Sequence, residues 1–318
     1  MRIDPHVHCR DGQQAYKETI THVLKLCDAQ GVDMIFDMPN TDPPILTERD
    51  VTARLALVPR ADLKRYRLYM GATADEKQLR EAAGLVDHCG QVVGIKLYAG
   101  PSVGALALAR EADQKKVYAF LAAAGYHGML AVHAEKESIF TRGFDPARPA
   151  SHSLARPPQA ETASIADQIA FARAVNFQGT LHICHLSTAS SLELVKAARS
   201  DLNITCGVTP HHLLWSADHM KGREGLLYKV NPPLRELADT IALRQALKRG
   251  EIDWIETDHA PHPISEKLYP PYESGYPSLC LYRSLVEDVL PYWGVSEATI
   301  KDITGVAVQR VFGERKFL

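Results

Sequence analysis

The sequence lacks the long apolar runs of a membrane protein and the basic excess of a protein that binds nucleic acid. No stretch approaches 18 uninterrupted apolar residues, so we expect no transmembrane helix. Lysine and arginine number 36 against 38 aspartate and glutamate residues, which leaves a formal net charge of −2. This balance argues against strong binding to polyanions and against an acidic disordered tail. We therefore expect neither a membrane nor a nucleic acid as a partner.

Several familiar sequence signals are also missing. The first residues, MRIDPHVHCRDG, carry polar side chains too early for the apolar core of a signal peptide. The six cysteines include no C-x-x-C pair and mostly lie in apolar segments, which indicates reduced thiols in a cytoplasmic protein. Neither G-x-G-x-x-G nor G-x-x-x-x-G-K occurs, so the nucleotide-binding form of an open α/β sheet finds no support.

Eight short apolar segments alternate with helix-like stretches along the 318 residues. They are continuous apolar runs, as expected for parallel strands that are covered on both faces. Eight strand–helix units favour a closed (β/α)8 TIM barrel over an open doubly wound sheet. We expect one barrel domain over residues 1–318, with no flanking β-sandwich. The predicted strands are Arg2–His8, Asp33–Met38, Arg67–Ala72, Val92–Tyr98, Gly128–His133, Thr180–Leu186, Asn203–Val208 and Asp253–Thr257.

Amphipathic spacing predicts helices between these strands, and two proline-rich stretches predict long loops. The loops are expected over Phe140–Gln159 and His262–Pro277. Because both follow predicted strands, they would lie on the face where barrel enzymes carry their active sites. The predicted helices are Gln14–Gln30, Thr47–Leu57, Ala160–Ala174 and Ala189–Arg199.

Histidine is abundant, and nine of the 14 histidines lie at or just after a predicted strand. The carboxyl ends of barrel strands converge on one mouth, so such side chains can meet there. His6 and His8 are two residues apart on one strand and therefore point to the same face. Two adjacent imidazoles form half of a tetrahedral zinc site, although two surface histidines near a terminus would give the same pattern.

Four further residues at strand ends carry candidate chemistry. Lys96 lies in VVGIKLYAG, where a buried ammonium must be paired, deprotonated or modified unless it extends to the rim. His133 and His185 end apolar strands, where a single histidine is more often a core residue. His182, at odd spacing from His185, is predicted to be structural and to face the other way. Asp258 in DWIETDHAPH suits a metal ligand, a general base or a helix N-cap.

Taken in order along the chain, this set resembles the amidohydrolase superfamily and, within it, the dihydroorotases. The resemblance implies a binuclear centre of divalent ions, most simply Zn²⁺, at the carboxyl ends of the strands. It implies that His6, His8 and Asp258 hold one ion, that His133 and His185 hold the other, and that Lys96 bridges them as a carbamate formed with CO₂. The segments that carry the resemblance are DPHVHCRD, DMPNTDPP, GIKLYAG, VHAE, RPPQAE, HICHLST, VTPHHLL, VNPPLR and TDHAPH.

The resemblance also implies an activity and a small-molecule substrate. The reaction is the reversible cyclisation of N-carbamoyl-L-aspartate to L-dihydroorotate in pyrimidine synthesis. Metal-activated water attacks the cyclic amide, and Asp258 moves the proton as general acid and base. Arg10, Asn40 and His262 would bind the substrate carboxylate, and Asn231 the ring amide. For Arg10 the alternative is a surface salt bridge to its neighbour, Asp11.

Two other functions fit parts of the pattern. A hydantoinase, dihydropyrimidinase or allantoinase would share the metal ligands but would not need Arg10 and Asn40 for a carboxylate. A catalytically silent scaffold of aspartate transcarbamoylase would have lost metal ligands, whereas all six are present here. A homodimer and an association with aspartate transcarbamoylase are further expectations from the resemblance. In place of the Thr-Thr lid of some relatives, the stretch AGPSVG offers only the hydroxyl of Ser102.

Overall fold

The computed structural model describes residues 1–101, 106–141, 143–313 and 316–317; Ser102 of the predicted lid segment lies outside them. Eight parallel strands form one sheet in the order of the chain. All eight predicted strands are present, and no end differs from its prediction by more than three residues. The strands are β1 Ile3–Val7, β2 Met34–Asp37, β3 Tyr66–Gly71, β4 Val92–Tyr98, β5 Met129–His133, β6 Thr180–Ile183, β7 Ile204–Val208 and β8 Trp254–Ile255.

The sheet closes on itself through the backbone that follows β8. The amide of Asp258 donates to the carbonyl of His6 at 3.0 Å, and the amide of His8 donates to the carbonyl of His259 at 2.8 Å. These bonds join the first strand to the last and confirm the TIM barrel. Over the described ranges no β-sandwich accompanies it.

Helices cover the outside of the barrel, and their starts follow local capping chemistry. A capping box is present at the start of α2, where Thr47 and Asp50 cap each other. The first helix starts at Ile20 rather than at Gln14, because Thr19 is its N-cap. The helices are α1 Ile20–Gln30, α2 Glu48–Leu55, α3 Glu76–His88, α4 Glu111–Ala123, α5 Ser151–Ala155, α6 Pro158–Ala174, α7 Ala189–Ala198, α8 Pro210–Leu214, α9 Leu237–Lys248, α10 Ile264–Leu268, α11 Tyr282–Ser284, α12 Leu290–Tyr292, α13 Glu297–Lys301 and α14 Ala307–Phe312.

The two predicted loops are partly wrong, because each contains helix. The first includes α5, and α6 already begins at Pro158, where proline is well placed because the first helical residue needs no amide donor. The second includes α10. Proline in these stretches thus starts helices as well as breaking them. No helix of the described chain is both long enough and apolar enough to cross a membrane.

The lower half of the barrel interior is a dry apolar floor. Phe36, Tyr69 and Trp254 are buried there, and α14 closes the bottom by packing Phe312 against Phe36 with ring centroids 5.0 Å apart. Because this floor is filled with apolar side chains, the polar groups of the strands gather at the opposite end. That end carries the candidate site.

Candidate active site

Two histidines of β1 meet a carboxylate that follows β8. Nε2 of His8 lies 2.9 Å from Oδ1 of Asp258, and Nε2 of His6 lies 3.4 Å from the same oxygen. All three side chains are nearly inaccessible to solvent, which excludes the interpretation of His6 and His8 as surface residues. One ligand atom from each lies within 4.8 Å of the others, close enough to share a metal ion.

The remaining predicted histidine ligands form a second pair beside the first. Nδ1 of His133 lies 3.1 Å from Nε2 of His185. The rings of His185 and His6 are 5.3 Å apart between centroids, so the two groups are neighbours. Five side chains from four strand ends are thus brought to one rim, as the sequence predicts.

Lys96 lies at the same end of the barrel and is fully buried, so it does not extend to the rim. Its Nζ donates a hydrogen bond to Sγ of Cys184 at 2.9 Å and lies 5.3 Å from the centroid of the Tyr98 ring. Its charge lowers the pKa of His185, after burial and the neighbouring His133. Within the described part of the chain no carboxylate comes within 4.0 Å of Nζ, and the partner of Nζ is the thiol of Cys184, whose pKa is lowered to about 5 by Lys96 and His182 against the effect of burial.

The donor atoms fit a pair of divalent ions. Two ligand atoms on one tetrahedral zinc ion, with bonds of about 2.0–2.1 Å, lie about 3.3 Å apart. The facing atoms here are 2.9, 3.1 and 3.4 Å apart. Imidazole nitrogen with one carboxylate oxygen is also the donor chemistry that zinc and its neighbours prefer.

Burial keeps His8 and His185 in the neutral form that binds metal. It lowers the pKa of His8 to about 4. Oδ1 of Asn40 lies 2.8 Å from Nδ1 of His8 and accepts a hydrogen bond from it, which leaves Nε2 free for a ligand. Burial would raise the pKa of Asp258, but the contact with His8 and the charge of His6 hold that pKa well below its usual range. Asp258 is therefore ionised at neutral pH.

His6 behaves differently, and this gives metal binding a pH dependence. Burial lowers its pKa and so does Lys96, but the interactions with Cys184 and Glu256 prevail and raise it to about 9. An ion must displace that proton, so the affinity for Zn²⁺ should rise about tenfold per pH unit between pH 7 and pH 9. Competition with a chelator of known affinity at pH 7, 8 and 9 measures this. A dissociation constant that is independent of pH in this range would show that His6 is already neutral.

Three site residues have left-handed backbone conformations, with φ of 54° at Arg10, 39° at His185 and 47° at Asp258. Side chains other than glycine rarely adopt them, and they persist only where the surroundings hold them. At Arg10 a buried ion pair stabilises the left-handed backbone conformation. Arg54 lies 2.7 Å from Asp37 and donates to the carbonyl of Arg10, so the strained turn is fixed from below.

A small pocket opens beside the histidines and Asp258. Arg10 is buried in its wall, and no carboxylate of the described residues lies within 4.0 Å of its guanidinium. The neighbouring Asp11 instead accepts the amide of Ile20 at 2.8 Å, so the alternative salt bridge is not formed. The lining residues are His8, Arg10, Asn40, Asn231, Asp258, Ala260, Ser274 and Gly275.

The structure places His262 behind Arg10 instead of in the pocket wall. Its Nε2 accepts from Nη2 of Arg10 at 3.0 Å, and its Nδ1 lies 2.9 Å from Glu266. Asn231 lines the pocket and lies 3.0 Å from Nε2 of His152. Of the four predicted substrate-binding residues, three therefore face the pocket and one supports another.

Sequence reasoning missed several residues of the site. Glu256 and Cys184 lie directly below the histidines, and Tyr98 is buried beside Lys96 with its hydroxyl unpartnered in the described chain. A carboxylate that directly follows the apolar pair Trp254–Ile255 and precedes Asp258 by two residues was an available signal for Glu256. His182 does not face away from the site, because it contacts Glu256 at 3.0 Å. The strand ends at Ile183, so alternation does not extend to His185.

Comparison with solved structures supports the fold. The fold matches the L-hydantoinase (dihydropyrimidinase) from Arthrobacter aurescens with a TM-score of 0.84 and 24% identity, over 98% of this chain and 70% of that one. No protein-family model matches the chain. The two proteins therefore share the barrel fold, and in this chain the carboxyl ends of the strands carry imidazole and carboxylate groups, with a buried lysine beside them.

Comparison with curated proteins identifies the family. The dihydroorotase of Methanothermobacter thermautotrophicus is 31% identical over 98% of this chain and 69% of its own length. The dihydroorotase of Lactiplantibacillus plantarum is 33% identical over 83% of this chain and 60% of its own length. The chain belongs to the dihydroorotase family. It spans about 60–70% of the length of these relatives.

Proposed function

We propose that this chain interconverts L-dihydroorotate and N-carbamoyl-L-aspartate. The observation that carries the proposal is Arg10, a buried guanidinium that has no ion pair among the described residues and faces a pocket beside Asp258. Burying such a charge is costly unless an anion pairs with it. A substrate carboxylate supplies that anion and matches the fork of the guanidinium.

We further propose that the rim holds two Zn²⁺ ions. His6, His8 and Asp258 would hold one ion, His133 and His185 the other, and Lys96 would bridge them. For this its neutral amine adds to CO₂ and releases one proton, which turns the amine into an anionic carbamate. The complete burial of Lys96, without a carboxylate partner for Nζ among the described residues, supports this modification. When bound, two such ions acidify water and polarise a carbonyl group.

Asp258 and the four predicted substrate-binding residues then have separate roles. Arg10 and Asn40 bind the substrate carboxylate, and Asn40 also fixes the ring of His8. Asn231 binds the ring amide. In hydrolysis, Asp258 is ionised beforehand, accepts the proton of the attacking water and passes it to the leaving ring nitrogen. His262 acts through Arg10, which it holds in place.

Three further parts stay predictions. A cytoplasmic location rests on the cysteine pattern, and a homodimer and an association with aspartate transcarbamoylase rest on the family resemblance. The substrate is a small molecule in either direction of the reaction.

The experiment is a hydrolysis assay on the purified protein with dihydroorotate, hydantoin and dihydrouracil. We expect dihydroorotate to be preferred by about 100-fold or more, because the two analogues leave Arg10 unpaired. A chelator should remove the activity and Zn²⁺ with bicarbonate should restore it. Equal or faster turnover of hydantoin or dihydrouracil would assign the chain to another cyclic-amide hydrolase. No turnover together with no bound metal would favour the silent scaffold.

A further inference from the structure

Glu256, just after β8, lies beneath the proposed metal ligands and has a role that the reaction does not by itself require. Its side chain is fully buried inside the barrel. Oε1 accepts a hydrogen bond from the backbone amide of His185 and lies 3.6 Å from Nδ1 of His6. Among the described residues this Nδ1 has no hydrogen-bond partner within 3.5 Å, so Glu256 is available to accept its proton. One carboxylate thus contacts a proposed ligand of each of the two ions.

The other oxygen of Glu256 is fixed by two donors. Oε2 accepts from Nε2 of His182 at 3.0 Å and from Nε1 of Trp254 at 3.1 Å. The His182 ring stacks on Trp254 with centroids 4.4 Å apart, and its Nδ1 lies 3.0 Å from Thr205. The carboxylate therefore has a defined position and orientation before any ion binds.

The neighbouring strand leaves room for this carboxylate. Gly207 of β7 has no side chain, and a Cβ atom there would lie 2.4 Å from Cδ of Glu256. Such a distance is far below van der Waals contact, so alanine at 207 would force the carboxylate out of its place. The position of the Glu256 carboxylate is therefore set by the missing side chain of Gly207 on β7 and by hydrogen-bond donors on β6 and β8.

We propose that Glu256 is a positioning residue of the metal centre. It orients His6 through Nδ1, which turns Nε2 toward the ion, and it holds His185 through the backbone. A carboxylate that accepts the second ring proton of a ligating histidine fixes its tautomer and makes it a stronger ligand. The inference rests on the metal ligands of the proposed function. It adds that the carboxylate of Glu256 positions a ligand of each ion.

The test measures metal binding directly, in the full chain with bicarbonate present. Glu256→Gln keeps the shape and removes the charge, and Gly207→Ala keeps the charge and displaces it. We expect both variants to bind Zn²⁺ about 10- to 100-fold more weakly in competition with a chelator, and still to bind two ions at saturation. The visible spectrum of the Co²⁺-loaded protein should shift in both. Should Glu256→Gln fail to fold, Gly207→Ala decides alone.

The matched control is Glu161→Gln. Glu161 is another buried carboxylate, and it accepts the amides of Ser187 and Thr188 at 3.1 and 3.2 Å, two residues beyond His185. Glu161 contacts no proposed metal ligand. The Zn²⁺ affinity and the Co²⁺ spectrum of Glu161→Gln should therefore match those of the parent protein. Unchanged affinity in Glu256→Gln would overturn the inference. A drop to one bound ion would also overturn it, by making Glu256 a ligand. A parent protein that binds no Zn²⁺ would instead refute the proposed metal centre.

Discussion

Asp258→Asn is expected to lower kcat for dihydroorotate by about 1,000- to 10,000-fold. The carboxylate that follows β8 is the proposed proton carrier, and the amide of asparagine cannot accept a proton at neutral pH. The substitution also removes the anionic oxygen that lies 2.9 Å from His8 and 3.4 Å from His6. Initial rates in both directions and the metal content of the same sample separate the chemical defect from a loss of ions.

Asp75→Asn is the control for this substitution. Asp75 is the N-cap of α3 and accepts the amide of Gln78, a role that asparagine fills equally well. Its rates and stability should match those of the parent. Retention of at least a tenth of the parental kcat by Asp258→Asn, with both ions bound, would remove Asp258 from the proton transfer.

Arg10→Ala is expected to lower kcat/KM for dihydroorotate by about 100- to 1,000-fold while both ions stay bound. Loss of one partner of a buried charge pair costs about 2–5 kcal/mol, and each 1.4 kcal/mol is about a factor of ten. Dihydrouracil has no carboxylate, so any turnover of that compound should not fall. Arg10→Lys keeps the charge but loses the two-pronged geometry of the guanidinium. Its kcat/KM for dihydroorotate should lie between that of Arg10→Ala and that of the parent.

The control here is Arg148→Ala, which removes an exposed guanidinium whose partner is Asp145. It should leave both substrates unaffected. An equal loss with dihydroorotate and dihydrouracil in Arg10→Ala would mean that Arg10 supports the barrel rim rather than the carboxylate. Undiminished turnover of dihydroorotate would refute the substrate assignment outright.

The sequence predicts the barrel and its rim because both depend on local rules. Strands that are covered on both faces are continuous apolar runs, and a parallel barrel brings their carboxyl ends together. The spacing of His6 and His8 fixes their common face, and the rest of the set follows from strand order. Amphipathic spacing does not fix where a helix starts. The N-cap at Thr19 sets the start of α1, and the residues before it form a turn.

The layer beneath the rim could not be predicted in the same way. The contact of Glu256 with His182 joins β8 and β6, and it needs the missing side chain of Gly207 on the strand between them. Such a contact depends on barrel stagger, which single-sequence patterns do not contain. The position of His262 behind Arg10 depends likewise on the path of the loop after β8.

The closure of the barrel coincides with the proposed ligands. β8 has two residues, and the bonds that join the first strand to the last are made by the backbone around His6, His8 and Asp258. An ion held there would clasp two segments that are 250 residues apart in the chain. Loss of that ion would remove a cross-link of the fold as well as a catalytic group. We therefore expect the metal-free barrel to unfold first between β1 and the backbone that follows β8.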